Sequence, residues 1–133
     1  MSRLINPGAG DLVDRLTILA LKILHGQAAG KDVTHFVTER NALLVALRNR
    51  ELNGSWFEHV LSLAAVNAAL WQLTDEMRGY LGLETLKAPV IEWEPAARCG
   101  IGIMHLNDDR ARLVRTINEL SGDLPKDAGQ EKL

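Results

Sequence analysis

A chain of 133 residues, 47% of them hydrophobic, is long enough for one domain that buries roughly two-thirds of its unfolded surface, and it excludes wholesale disorder. A formal net charge of −2 and a pI near 6.1 speak against a general nucleic-acid or anionic-membrane binder. The single cysteine, Cys99, excludes an intramolecular disulfide and agrees with a reducing, cytoplasmic setting. The opening "MSRLINPGAGDL" has neither the basic segment nor the apolar core of a signal peptide. The most apolar stretch, Leu12 to Leu24, carries Asp14, Arg15 and Lys22 and is too short to span a bilayer.

In chain order, Pro7, Gly8 and Gly10 predict a turn, with Asp11 as the N-cap of a first helix. Leu12, Leu16, Leu19 and Ile23 recur at helical spacing, and Val13, Ala20, Leu21 and Leu24 widen the apolar face. Gly26 and Gly30 are expected to stop this helix. A second helix is capped by Asp32 or Thr34, carries Phe36, Leu43, Leu44 and Leu47 on its apolar face, and gives way to a turn at "NGS". A third and longest helix opens on a capping box, Ser55 with Glu58. Its stripe is Leu63, Val66, Leu70, Leu73, Met77 and Leu81, and Gly82 ends it.

"LETLKAPVIEWEP" is the least regular part, read as a long extended connection packed through Trp93. Pro95 suits the first turn of a fourth helix, in which Gly100 and Gly102 would permit close packing. The alternative is a strand there, with the last helix starting on Asn107 as N-cap and Asp108 and Asp109 in its first turn. The helical reading is the one adopted. The fold predicted is all-α, a four-helix bundle with one long irregular crossover before the last helix. It forms one helical domain over residues 1–122, followed by a mobile tail over 123–133.

The informative residues are polar ones in apolar places. In "HLNDDRARLVRTINEL", Leu106, Leu113, Val114 and Ile117 gather on one face with Arg110 in its middle. An arginine keeps its proton inside a protein, so burial demands an acidic or carbonyl partner. Asp14 sits in the apolar run of the first helix. On the third, Asn67, Trp71, Asp75 and Arg78 share a sector of about 80° beside the stripe, and on the last, Asn107 and Asn118 flank Arg110. Arg40, with Glu39 beside it, lies between the apolar residues of the second helix. Two readings stand side by side. The set forms interhelical salt bridges, with arginine stems snorkelling from the core edge. Or it lines a pocket between helices where Arg78 and Arg110 hold an anionic group.

Other constellations are weaker. His35 and Glu39 have i,i+4 spacing, but one such pair does not make a metal site, so no metal is expected. "PGAGD" lacks the Lys-Ser/Thr end of a P-loop, and no cofactor is expected. Trp56, Trp71 and Trp93 read as packing anchors, and "RNR" at Arg48 as a solvated helix end.

Three segments together resemble a small bacterial family of unknown function. "PGAGDLVDRLTILALKI" is similar to its P-G-E-L-I-D-R-L-T-I-L-x-x-K opening, "VNAALWQLTDEMR" to N-x-x-L-W-x-x-E-D-x-x-R, and "LNDDRARLVRTIN" to N-D-x-R-A-x-x-K-x-x-I-N. The resemblance spans most of the chain. It singles out Asp14, Arg15, Thr17, Lys22, Asn67, Trp71, Asp75, Arg78, Asn107, Asp108, Arg110 and Asn118. The chain departs from the pattern in inserting Ala9 and Gly10 where the family has one acidic residue before the leucine, and in having Thr74 where glutamate is expected. The resemblance brings a set of residues and no reaction.

Two functional expectations follow. The first is an interaction or assembly module, a homodimer or the partner of another protein, motivated by a first helix too broadly apolar for one bundle interior. The second is a site for a small anionic ligand, phosphorylated or carboxylate, with Arg110 and Arg78 as clamp, Asp14 or Asp75 orienting them, and Lys22 as an electrostatic partner. Whether any reaction is catalysed stays open. Specific nucleic-acid binding ranks last, since no helix shows a basic face.

Overall fold

The structure, a computed structural model, describes residues 8–48, 50, 54–83 and 91–121. Four helices account for it: α1 (Ala9–Ala28), α2 (Thr34–Arg48), α3 (Trp56–Tyr80) and α4 (Trp93–Leu120). No strand occurs among the described residues. The expected all-α bundle is the fold; the expected tail over 123–133 lies outside the described residues.

α1 is capped three residues before the predicted position. Gly8 is the N-cap in extended backbone, and Asp11 sits in the first turn, its carboxylate accepting the Gly8 N–H at 3.2 Å. Asp11 thus serves as the return half of a capping interaction rather than as the cap. Gly26 lies inside the helix, and the stop is at Gly30. There the chain reaches φ 72°, the Gly30 N–H donates to the Gln27 carbonyl at 3.0 Å, and the Lys31 N–H to that of Gly26 at 2.8 Å. α3 ends the same way: Gly82 adopts φ 75° and the Leu83 N–H donates to the Arg78 carbonyl at 2.9 Å. Both are Schellman closures, in which a left-handed residue lets the chain satisfy two carbonyls the helix leaves open.

Leading into α2, the Asp32 carboxylate accepts both the Thr34 N–H (2.9 Å) and the Thr34 hydroxyl (2.6 Å), an Asx turn one residue outside the cap position, where the Val33 carbonyl takes the first helical bond. These two bonds lower the Asp32 pKa. The predicted box at α3 does not form: Ser55 makes no side-chain capping bond. α4 is one unbroken helix through Gly100 and Gly102, so Asn107 is an interior residue and caps nothing. Trp93 is its first residue and is exposed, which corrects its reading as a packing anchor; the expected crossover over 84–90 lies outside the described residues.

α3 and α4 pack antiparallel and form the main seam. The Glu92 N–H donates to the Tyr80 carbonyl at 2.8 Å, and a Cβ on Gly102 would lie 3.0 Å from Leu73 Cδ1, so that glycine does admit close packing. α1 lies against both. The core is centred where the N-terminal parts of α1 and α3 meet the end of α4: Ala9, Val13, Leu63 and Ile117 are buried together, with Leu47, Val60, Leu113 and Val114 packed around them.

α2 packs through α1 and buries no residue fully. Its polar tie is Arg15 to Glu39, with Nε and Nη2 donating to the two carboxylate oxygens at 2.7 and 2.9 Å. Those bonds, more than simple charge attraction, hold the Glu39 pKa below its usual range and raise that of Arg15. Glu39→Gln is expected to quicken amide exchange over Thr34–Arg48 about two- to five-fold while α3 and α4 stay protected, the scale of a half-exposed ion pair. Acid should do the same. A lowered carboxylate pKa contributes stability above the unfolded value, and that contribution is lost as pH falls through the folded one. Exchange measured across a pH series checks both.

Candidate functional site

The arginine on the apolar face of α4 finds its partner in Asp14. Arg110 Nε donates to Asp14 Oδ1 at 2.9 Å and to Oδ2 at 3.1 Å, and Nη2 donates to Oδ2 at 2.6 Å. This fork-to-carboxylate geometry is the strong form of the ion pair. The side chains are 35% and 15% exposed, so the pair sits at the core edge rather than in it. The Asp14 hydrogen bonds raise the Arg110 pKa against the opposing effect of burial.

α3 joins the pair through Asn67, which is 4% exposed. Its amide nitrogen donates to Asp14 Oδ1 at 2.8 Å and to the Thr17 hydroxyl oxygen at 2.7 Å; that hydroxyl donates to the Asp14 backbone carbonyl at 2.8 Å. One carboxylate therefore ties three helices. Among the described residues no buried side-chain nitrogen or oxygen is left without a partner. That satisfaction makes a polar cluster tolerable beside a core.

Two hollows flank the pair. The larger, about 510 Å³, runs between α1 and α3 and is lined by Ile18, Leu21 and Leu70 on its apolar side, with Trp71, Asp75, Arg78 and Arg110 among its polar lining. The smaller, about 370 Å³, lies on the α1–α4 side and includes Asp11, Asp14, Asn107 and Arg110. Arg110 forms part of the wall of both. Nη1 of Arg110, and the Arg78 guanidinium, make no hydrogen bond among the described residues. The Trp71 ring is steadied by His25, stacked 4.5 Å away at an interplanar angle of 9°.

Comparison with known protein families, with curated proteins and with solved structures finds no match to this chain.

Of the residues the sequence singles out, Asn67, Trp71, Asp75, Arg78 and Arg110 share the larger groove, while Asp14 and Asn107 join Arg110 on the other side. Four go elsewhere. Arg15 is spent on Glu39, and Lys22 lies over the Phe36 ring at 5.3 Å, so both serve the α1–α2 contact. Asp108 is exposed and lines neither hollow. Asn118 serves the start of α1: its Oδ1 accepts the Gly10 N–H at 2.7 Å, supplying one of the partners a helix N-terminus lacks. Of the two candidate orienting acids, Asp14 holds Arg110, and Asp75 makes no bond to Arg78. Ile18 lines the groove and His25 stacks on its Trp71, and neither is among the residues expected there from the sequence. His25 had a signal in hindsight, since at i+4 from Leu21 it continues the groove-facing side of α1. Its stacking partner is remote in the chain, so nothing local marks the contact.

Proposed function

We propose that the α1–α3 groove binds a small anionic molecule that carries an apolar body, with Arg110 and Arg78 engaging the anionic group and Trp71 lying against the rest. The observation that carries this reading is the pair of arginines from two helices lining one ligand-sized groove, one of them already oriented by Asp14. A guanidinium fixed in advance loses little freedom when it binds, and its planar fork matches carboxylate and phosphate oxygens. The apolar wall of Ile18, Leu21 and Leu70 favours a ligand that is more than a bare ion.

The test is a thermal-shift and calorimetry series with a sugar phosphate, a nucleotide sugar and a dicarboxylate. At about ten times its Kd a ligand adds roughly 1.4 kcal/mol, a rise of several degrees in a domain of this size. Arg78→Gln should abolish the rise without lowering the melting point of the free protein, because Arg78 takes no part in the Asp14 network. No shift with any of the three at millimolar concentration rejects the reading. A second reading, an assembly module, draws support from an apolar stripe on α4.

A further inference from the structure

Three of the most exposed large apolar side chains lie on the first half of α4: Trp93 at 68%, Ile101 at 57% and Met104 at 68%. With Ala97, also exposed, they fall within a stripe of about 80° on the side of the helix turned away from buried Ala96 and Cys99. The stripe ends at Asp108, so it belongs to this half of the helix alone. α1, whose wide apolar surface pointed to a partner, has none to spare at Leu12, Val13, Leu19 and Ile23, which are buried within the chain.

Gly100 borders the stripe and sharpens its meaning. Glycine is among the poorest residues for a helix interior. Gly102 has a reason within the chain, the close approach of Leu73. Gly100 has none: the nearest atom to a Cβ there would be Met77 Sδ at 3.9 Å, an ordinary contact that alanine would fit.

We propose that this stripe is the contact between two copies of the chain, paired through antiparallel α4 helices about a two-fold axis level with Arg98 and Cys99. The order of side-chain sizes sets the register. Trp93 meets the partner's Met104, and Ala97 meets the partner's Gly100. The small residues at the centre let the helices close up, and the large ones seal both ends. Gly100 then has the close approach that the single chain does not supply.

The area agrees. At on the order of 200 Å² for a fully exposed side chain of this size, the three large residues present roughly 400 Å² from each copy. A standard interface takes about 800 Å² per partner, a little over half of it apolar. The stripe provides most of that apolar share, and its polar borders provide the rim.

Sedimentation velocity of the full chain from low to high micromolar concentration tests the proposal. Wild type is expected to form a dimer. Ile101→Glu should weaken it about a hundredfold or more, by placing a carboxylate in the contact, with the circular dichroism spectrum unchanged. Gly100→Ala should weaken the dimer about tenfold while raising the melting point of the dilute, monomeric protein. A wild-type chain that stays monomeric throughout overturns the proposal, whatever else the face then binds. A dimer that Ile101→Glu leaves intact also overturns it, and a Gly100→Ala dimer as tight as wild type overturns the register.

Discussion

Arg110→Met should lower stability by about 2–3 kcal/mol, seen as a melting point several degrees below wild type. The methionine roughly matches the apolar stem and keeps its packing against the α4 face, so the loss is electrostatic. It strands the Asp14 carboxylate, only 15% exposed, without its cation. A fully buried pair broken in this way costs about 3–5 kcal/mol. The smaller figure reflects what Asp14 retains: the Asn67 amide at 2.8 Å and some contact with water. A double variant, Asp14→Leu with Arg110→Met, should recover most of the loss, because removing both charges leaves no stranded group. Chemical denaturation of wild type, the two single variants Asp14→Leu and Arg110→Met, and the double variant gives the coupling. An Arg110→Met protein as stable as wild type would mean that Asp14 does not need the guanidinium, and the pair would then matter to the groove alone.

Gly10→Ala is the second large effect, a loss of about 3 kcal/mol. A Cβ on Gly10 would sit inside the contact distance of the Val114 carbonyl oxygen and 2.9 Å from Asn118 Oδ1. The first is backbone and cannot swing aside. α1 must back away from α4, and the Gly10 N–H then loses its 2.7 Å bond to Asn118. The Asp14–Arg110 pair lies one turn further along the same seam and would open with it. Gly79→Ala is the matched control. Gly79 is also helical, and nothing lies within 4 Å of a Cβ there, so alanine should stabilise by about 0.5–1 kcal/mol. Equilibrium unfolding of the two variants side by side separates the close approach from helix propensity. Equal effects at the two positions would contradict the packing described for Gly10.

The sequence by itself determined what depends on neighbours within a turn or two. Apolar residues three and four apart define α1 to α4, and the left-handed positions at Gly30 and Gly82 end two of them, because both signals act within a few residues. It also marked Arg110 and Asp14 as polar groups on apolar faces, and the need to neutralise such groups is a property of burial wherever the partner lies. Tertiary structure decided which partner answers which. Asp14 takes Arg110 while Asp75 does not take Arg78, Arg15 and Lys22 turn to α2, and the remote Asn118 joins the local Asp11 in satisfying the start of α1. The helical period tells which face a side chain occupies and nothing about the helix opposite. That choice belongs to the close packing of α1 against α4, which only the folded chain sets.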